Sequence, residues 1–269
     1  MTANDPATVA TQYTTDQHLR TRQQAHIRYS SGPGLEEAVD AVLGLEGSEA
    51  LLDVGTGPGD YPGRLRADGH TGPLAGVDLS AGMVGRARQQ YPGVVFVQAS
   101  ADALPFDDGP FDVLTARHML YHVPSVPAAL SEFRRVLKPG GRFLAVTNAA
   151  RYMAELWDAV AEATERESAL KAVRASRGSY ADAFSETNGE AWIREAFGNV
   201  QVEFTDSVLL FPAVEPVLTY LESLPVWQGL DEGERSRSSA ALKEVLAPQF
   251  ESGSWRVSKR LVLLKAVRD

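Results

Sequence analysis

Five short apolar runs lie between residues 50 and 147, each ended by Gly, Asp or Ser and followed by a helical segment, and this alternation constrains the fold more than any other feature. The runs are ALLDV (50–54), LAGVD (74–78), VVFVQ (94–98), FDVLTA (111–116) and RFLAVT (142–147). Helices are expected between them over 60–68, over 80–90 from an N-cap at Ser80, and over 125–138 from Ser125 to the break Pro139-Gly140-Gly141. Strands that are apolar on both faces and alternate with helices belong in a parallel, doubly wound α/β sheet covered on both sides. With 44% hydrophobic and 23% charged residues, the chain has the composition to bury such a core, which argues against global disorder.

Outside this block the pattern changes. Residues 1–34 are polar and end in Ser30-Ser31-Gly32-Pro33-Gly34, which reads as a partly helical arm closed by a loop. A short amphipathic helix follows, with Leu35, Val39, Val42 and Leu43 on one stripe and Gly44 at its end. After residue 148 one long helix is expected over 151–177 and another over 188–197. A strand at 200–211, helices at 214–223 and 231–247, and a last strand at 256–267 complete the chain. The expected organisation is therefore an N-terminal arm (1–34), an α/β domain (35–147 and 200–269) and a helical insertion (148–199).

The segment Leu51-Leu52-Asp53-Val54-Gly55-Thr56-Gly57-Pro58-Gly59 carries the chemistry. Glycines at every second position after a strand let a ligand approach the backbone with no Cβ in the way, and the next helix presents its N-terminus. That suits a nucleotide or nucleoside at the carboxyl edge of the sheet. Spacing narrows the choice. A dinucleotide fingerprint needs glycine where this chain has Asp60, which counts against a nicotinamide dehydrogenase, and no Gly-Lys-Ser/Thr follows for a phosphate loop. The second run ends in Gly76-Val77-Asp78-Leu79-Ser80, placing a carboxylate where it can take both ribose hydroxyls. After the third run, Ala101-Asp102-Ala103-Leu104-Pro105-Phe106 offers an acceptor beside apolar groups, suited to an adenine amino group and ring.

With Phe111-Asp112-Val113 and Leu137-Lys138-Pro139-Gly140-Gly141 following in order, the sequence resembles the class I S-adenosylmethionine-dependent methyltransferases, in their small-molecule branch, over about residues 35–147. The resemblance implies a Rossmann-like seven-stranded sheet with an antiparallel last strand, for which 256–267 is the candidate, and S-adenosylmethionine as cofactor. Thr56 stands where the motif more often has Cys or Ser. By position, Asp53 would orient the glycine loop and approach the methionine ammonium, while Gly55, Thr56, Gly57 and Gly59 would form the loop against the cofactor. Asp78 would hold the ribose, Leu79 and Met83 would flank adenine, and Asp102 with Ala101 and Ala103 would bind its amino edge. Arg117 follows the fourth strand, where methionine moiety and acceptor meet in this family. The arm, with Tyr13, Arg22 and Tyr29, resembles the lid found ahead of the glycine motif in many members.

Methyl transfer is an in-line displacement at carbon, so positioning supplies most of the rate and a base is needed chiefly for a hydroxyl acceptor. His118 and His122 are the candidate catalytic residues, four apart and able to share a helical face. Tyr29, Tyr121, Tyr152, Tyr180 and Trp192 are the candidate substrate-binding aromatics. No metal site is expected: the His-x3-His pair lacks a third ligand in sequence, and with no cysteine there is no thiolate metal site, disulfide or cysteine nucleophile. The net charge of −9, with bases in pairs and not tracts, disfavours nucleic acid. No run is long enough to span a membrane and no leader is evident, which reads as a cytoplasmic enzyme acting on a small metabolite or natural product. The alternatives are an RNA or protein methyltransferase, or a protein that binds S-adenosylmethionine without catalysis. Oligomeric state leaves no trace in the sequence.

Overall fold

The computed structural model describes residues 17–269, apart from the side chains of 17 and 178–182. One sheet organises them. Its strands are β1 (Ser30–Ser31), β2 (Leu51–Val54), β3 (Leu74–Asp78), β4 (Val95–Gln98), β5 (Phe111–Arg117), β6 (Leu137–Asn148), β7 (Gln201–Phe211) and β8 (Trp255–Val267), in the order β1-β7-β8-β6-β5-β2-β3-β4. β6, β5, β2, β3 and β4 run parallel, and β8 lies antiparallel between β6 and β7. The fold is the expected α/β one with an antiparallel last strand. It has one strand more than the expected seven, because Ser30 and Ser31 pair with Leu209 and Val208 at the β7 edge.

The alternating faces of the parallel strands explain why their sequences are apolar throughout. Leu52, Val54, Leu114, Ala116, Phe143 and Ala145 point to a core shared with helices Val126–Val136 and Glu186–Phe197. Leu51, Leu74, Val113, Leu144 and Val146 point to the opposite core, under helices Leu35–Leu43, Asp60–Ala67 and Ala81–Gln90. A third cluster joins Ala25 of helix Gln17–Tyr29 to Leu156 and Val160 of helix Ala154–Ala163, Leu221 of helix Val214–Glu222, Leu242 of helix Glu232–Leu246, and Phe211 and Val257 at the ends of β7 and β8. Asn148 pairs with Leu261, so the first residues of β8 overrun the carboxyl end of β6 and form a wall above the sheet edge.

Three local expectations are corrected. The helix expected to reach 138 ends at Val136, because Leu137 already pairs with Phe111 and the Lys138–Gly141 tract turns within β6, where Gly140 has φ +78°. The single helix expected over 151–177 is two, Ala154–Ala163 and Leu170–Ala183. Between them the Thr164 hydroxyl donates to the Ala161 carbonyl at 2.6 Å and the Ala169 N–H donates to Glu167 Oε1 at 3.0 Å, local bonds that compete with a continuous helix. A short helix at Pro225–Gln228 and a 3-10 turn at Ala247–Phe250 were not signalled by apolar periodicity. Among the described residues no helix is long and apolar enough to cross a membrane.

Candidate active site

The parallel register places Val54 beside Val77 and Asp78 beside Gln98, so the glycine loop, Asp78 and the segment 99–102 stand side by side at the carboxyl edge. Gly55, Gly57 and Gly59 all have positive φ (+69°, +58° and +83°), which explains the demand for glycine after this strand. A Cβ on Gly59 would come within 2.6 Å of the Phe96 ring, whereas one on Gly57 would meet nothing within 4 Å. The loop is thus packed from below and open at its centre. Asp78 ties the loop together: Oδ2 accepts the Gly57 N–H and Oδ1 the Ser80 N–H, each at 2.8 Å. Burial raises the pKa of its carboxyl, the two N–H donors oppose that rise, and Asp53 adds to it. Each oxygen still has a free lone pair for a hydroxyl.

The other loop residues divide by exposure. Thr56 is buried with its Oγ1 lacking a hydrogen-bond partner among the described residues, and Met83 is 1% exposed beneath the Ser80 N-cap. Leu79 and Asp102 are half-buried, Ala101 is buried and Ala103 exposed, with the Ser100 hydroxyl donating to Asp102. Arg135 donates to the Leu104 and Phe106 carbonyls at 3.0 and 2.7 Å, which fixes the loop after Ala103. Asp112 accepts the Ala50 N–H at 2.8 Å and Lys138 Nζ at 2.7 Å, so two of the shared motifs are structural pins.

Asp53 is 1% exposed, and its carboxylate is engaged on the protein side. It accepts the Thr115 hydroxyl at 2.6 Å, Arg117 Nε at 3.2 Å and a terminal Arg117 nitrogen at 3.0 Å. Arg117 in turn stacks 4.1 Å from the centre of the Tyr61 ring. Burial works against the Arg117 charge, and Asp53 more than offsets it.

A cavity of about 200 Å³ opens beside this edge, between the end of β6, the 3-10 turn Leu120–His122, the arm helix and the helices of the third cluster. Tyr121, His122, Tyr152 and Arg22 line it, together with Asn148, Trp157, Arg177 and Tyr220, which sequence reasoning did not place there. Arg22, expected at the cofactor, donates to the Ser223 carbonyl. Tyr29 instead packs on Phe211 and Trp192 on Phe184, each satisfying a core. Tyr13 lies outside the described residues, as does the side chain of Tyr180.

His118 has φ +53°, and its N–H donates to the Val146 carbonyl at 2.9 Å. Burial, then Arg117 and Lys259, push its pKa down to about 4, so it is neutral at pH 7 and a weak base, contrary to the expectation of a base poised near neutrality. His122 remains as the histidine on the cavity wall. The same physics acts on His26 of the arm and on Lys259, which the motifs did not mark. His26, beside Tyr152 and Tyr220, is lowered to about 3, chiefly by burial and then by Lys259. Lys259 is 7% exposed, donates to the Ser30 hydroxyl at 2.9 Å and is lowered to about 8 by burial. Its signal was available: Val257, Lys259 and Leu261 alternate along an apolar strand, which aims the lysine inward.

A stability prediction follows from Lys259. The unfolded chain keeps the lysine proton to about pH 10.4 while the folded chain releases it near 8, so stability rises with pH across that window and the full cost is present below it. Lys259→Met should abolish the rise between pH 8 and 10.5 and gain about 2 kcal/mol at pH 7, after loss of the Ser30 bond. Urea unfolding across pH checks it; an unchanged slope overturns it.

Residues 52–145 match the family described as methyltransferase domain. Over 100 residues the chain is 44% identical to a ubiquinone/menaquinone biosynthesis C-methyltransferase UbiE of Brucella anthropi, a match covering 35% of this chain and 38% of that relative. The chain thus spans well under half of the curated relative it matches. Among solved structures, a Bacillus halodurans C-125 protein shares the fold with a TM-score of 0.60 at 21% identity, covering 87% of this chain and 98% of that one. Phosphoethanolamine N-methyltransferase 2 of Haemonchus contortus, solved with S-adenosyl-L-methionine, does so with a TM-score of 0.56 at 18% identity, covering 94% and 57%. Residues 52–145 thus form a methyltransferase domain of the class I S-adenosylmethionine-dependent kind.

Proposed function

We propose that this chain transfers a methyl group from S-adenosylmethionine to an oxygen or nitrogen of a small-molecule acceptor seated in the cavity. One observation carries the reading: a single short segment joins the glycine loop to the cavity. A Cβ on Gly55 would lie 2.5 Å from Met119 Cβ, so the two pack without a gap, and Tyr121 and His122 immediately beyond wall the cavity. When bound, the cofactor supplies a methyl carbon on a positively charged sulfur. The open centre of the loop at Gly57 and the unpartnered Thr56 hydroxyl fit a polar ligand there. Asp78 holds the ribose through its remaining lone pairs, Leu79 covers the adenine, Met83 supports it from below, and Asp102 takes its amino edge. Asp53 and Arg117 shape the loop floor as a pair. Tyr121 and Tyr152 align the acceptor, and His122 receives the proton of a hydroxyl acceptor.

The arm helix, helices Ala154–Ala163 and Leu170–Ala183, and helix Val214–Glu222 act together as lid and cap, the last an element the sequence assigned to the α/β domain. The net charge of −9 supports a small metabolite over RNA, in a cytoplasmic setting. Carbon as the methylated atom is a second reading, favoured by the C-methyltransferase name of the 44% identical relative. Calorimetry with S-adenosylmethionine and S-adenosylhomocysteine should show saturable one-to-one binding, and failure of both to bind sinks the proposal. Transfer of labelled methyl to a panel of phenols, amines and enols then separates the acceptor atoms.

A further inference from the structure

The charged lining of the cavity is all of one sign. Arg22 enters from the arm and Arg177 from helix Leu170–Ala183, and among the described residues no aspartate or glutamate lines the space. This is in a chain whose acids outnumber its bases 35 to 26. Neither guanidinium is neutralised there. Arg22 donates to the Ser223 carbonyl and Arg177 to the Ala150 carbonyl at 2.7 Å, and neither forms an ion pair among the described residues. Arg177 also lies over the Trp157 ring, 5.8 Å from its centre, which fixes the cation against an aromatic wall.

The surroundings have the same sign. Lys259 and Arg22 act electrostatically on His26, so the cations behind the Tyr152 wall share the sign of the lining. Asp53, at the loop floor, is engaged by Arg117 and Thr115. Burial lowers the pKa of Arg177, with Asp158 and Arg151 acting on it in opposite directions, so its charge is short of solvation. A half-buried cation that forms no ion pair is less well solvated than one in water, and an anionic ligand would offset that loss.

We propose that the acceptor is a small organic anion, a ring-sized apolar body carrying one negative group, with Arg22 and Arg177 binding the charge and Trp157 and Tyr152 the ring. This rests on the reading of the cavity as the acceptor site. Charge-assisted bonds from two guanidiniums discriminate strongly against a neutral isostere, because desolvation is then not repaid.

The test is isothermal titration of the full chain, saturated with S-adenosylhomocysteine, using benzoate, benzamide and benzylamine as shape-matched probes of differing charge. Benzoate should bind at least about tenfold more tightly than benzamide, and benzylamine should not bind. Arg22→Gln and Arg177→Gln should each cost benzoate about tenfold and leave benzamide unchanged, with Arg177→Lys recovering part of the loss. Three results would each overturn the inference: equal affinities for benzoate and benzamide, no benzoate binding up to about 10 mM, or an anion preference surviving in the Arg22→Gln/Arg177→Gln double variant. The three-probe comparison on the parent chain needs no variant to fold. Titrating S-adenosylhomocysteine alone shows separately whether the cofactor reading fails.

Discussion

Asp78→Ala is expected to weaken S-adenosylhomocysteine binding by about 100-fold, roughly 3 kcal/mol, the scale of two charge-assisted hydrogen bonds in a partly buried site. In the proposed function this carboxylate has two roles. It receives the Gly57 and Ser80 N–H groups at 2.8 Å each, holding the turn, and the lone pair left on each oxygen would take the ribose. Asp78→Asn separates the two functions. The amide keeps the volume, offers one acceptor to the backbone and turns a donor toward the other N–H, so a loss of about tenfold is expected with the fold retained. Calorimetry on both variants, with circular dichroism as the folding control, measures this. A dissociation constant unchanged in Asp78→Ala refutes the ribose assignment.

Arg117→Met should cost about 3–5 kcal/mol of stability at pH 7, because it strands the Asp53 carboxylate, 1% exposed, with the Thr115 hydroxyl as its remaining side-chain donor. The methionine fills similar volume against Tyr61, so the loss measures the uncompensated charge and not a void. Asp53→Asn combined with Arg117→Met should recover most of the loss at neutral pH. Urea unfolding of the three chains at pH 7 reads the effect. A single variant within about 1 kcal/mol of the parent would show that the pair is not what holds the loop floor.

Cofactor-side residues were legible in sequence because their roles are local. Glycines needed at positive φ, an acid at a strand end and a serine capping Ala81–Gln90 are each set by a few consecutive residues. The expected long helix failed for the opposite reason: Thr164 and Glu167 redirect bonds that apolar periodicity does not register. Cavity residues were poorly legible. Tyr152 and Tyr220 look like any buried aromatics at helical spacing, as do Tyr29 and Trp192, yet the first pair lines the cavity and the second pair fills cores.

By itself, then, the sequence determined the parallel, doubly wound character of the central strands, the glycine loop and the place of Asp78, since periodicity, turn chemistry and spacing are properties of neighbouring residues, while the antiparallel last strand was implied by the family resemblance. Tertiary structure alone decided the rest. It paired Ser30 and Ser31 with β7, spent Asp53 on Arg117, buried Lys259 and His118 until their basicity fell, and brought Arg22, His122 and Arg177 around one cavity. These outcomes depend on which distant segments share a desolvated space, and the electrostatics of such a space are set by burial and by neighbours far away in the chain.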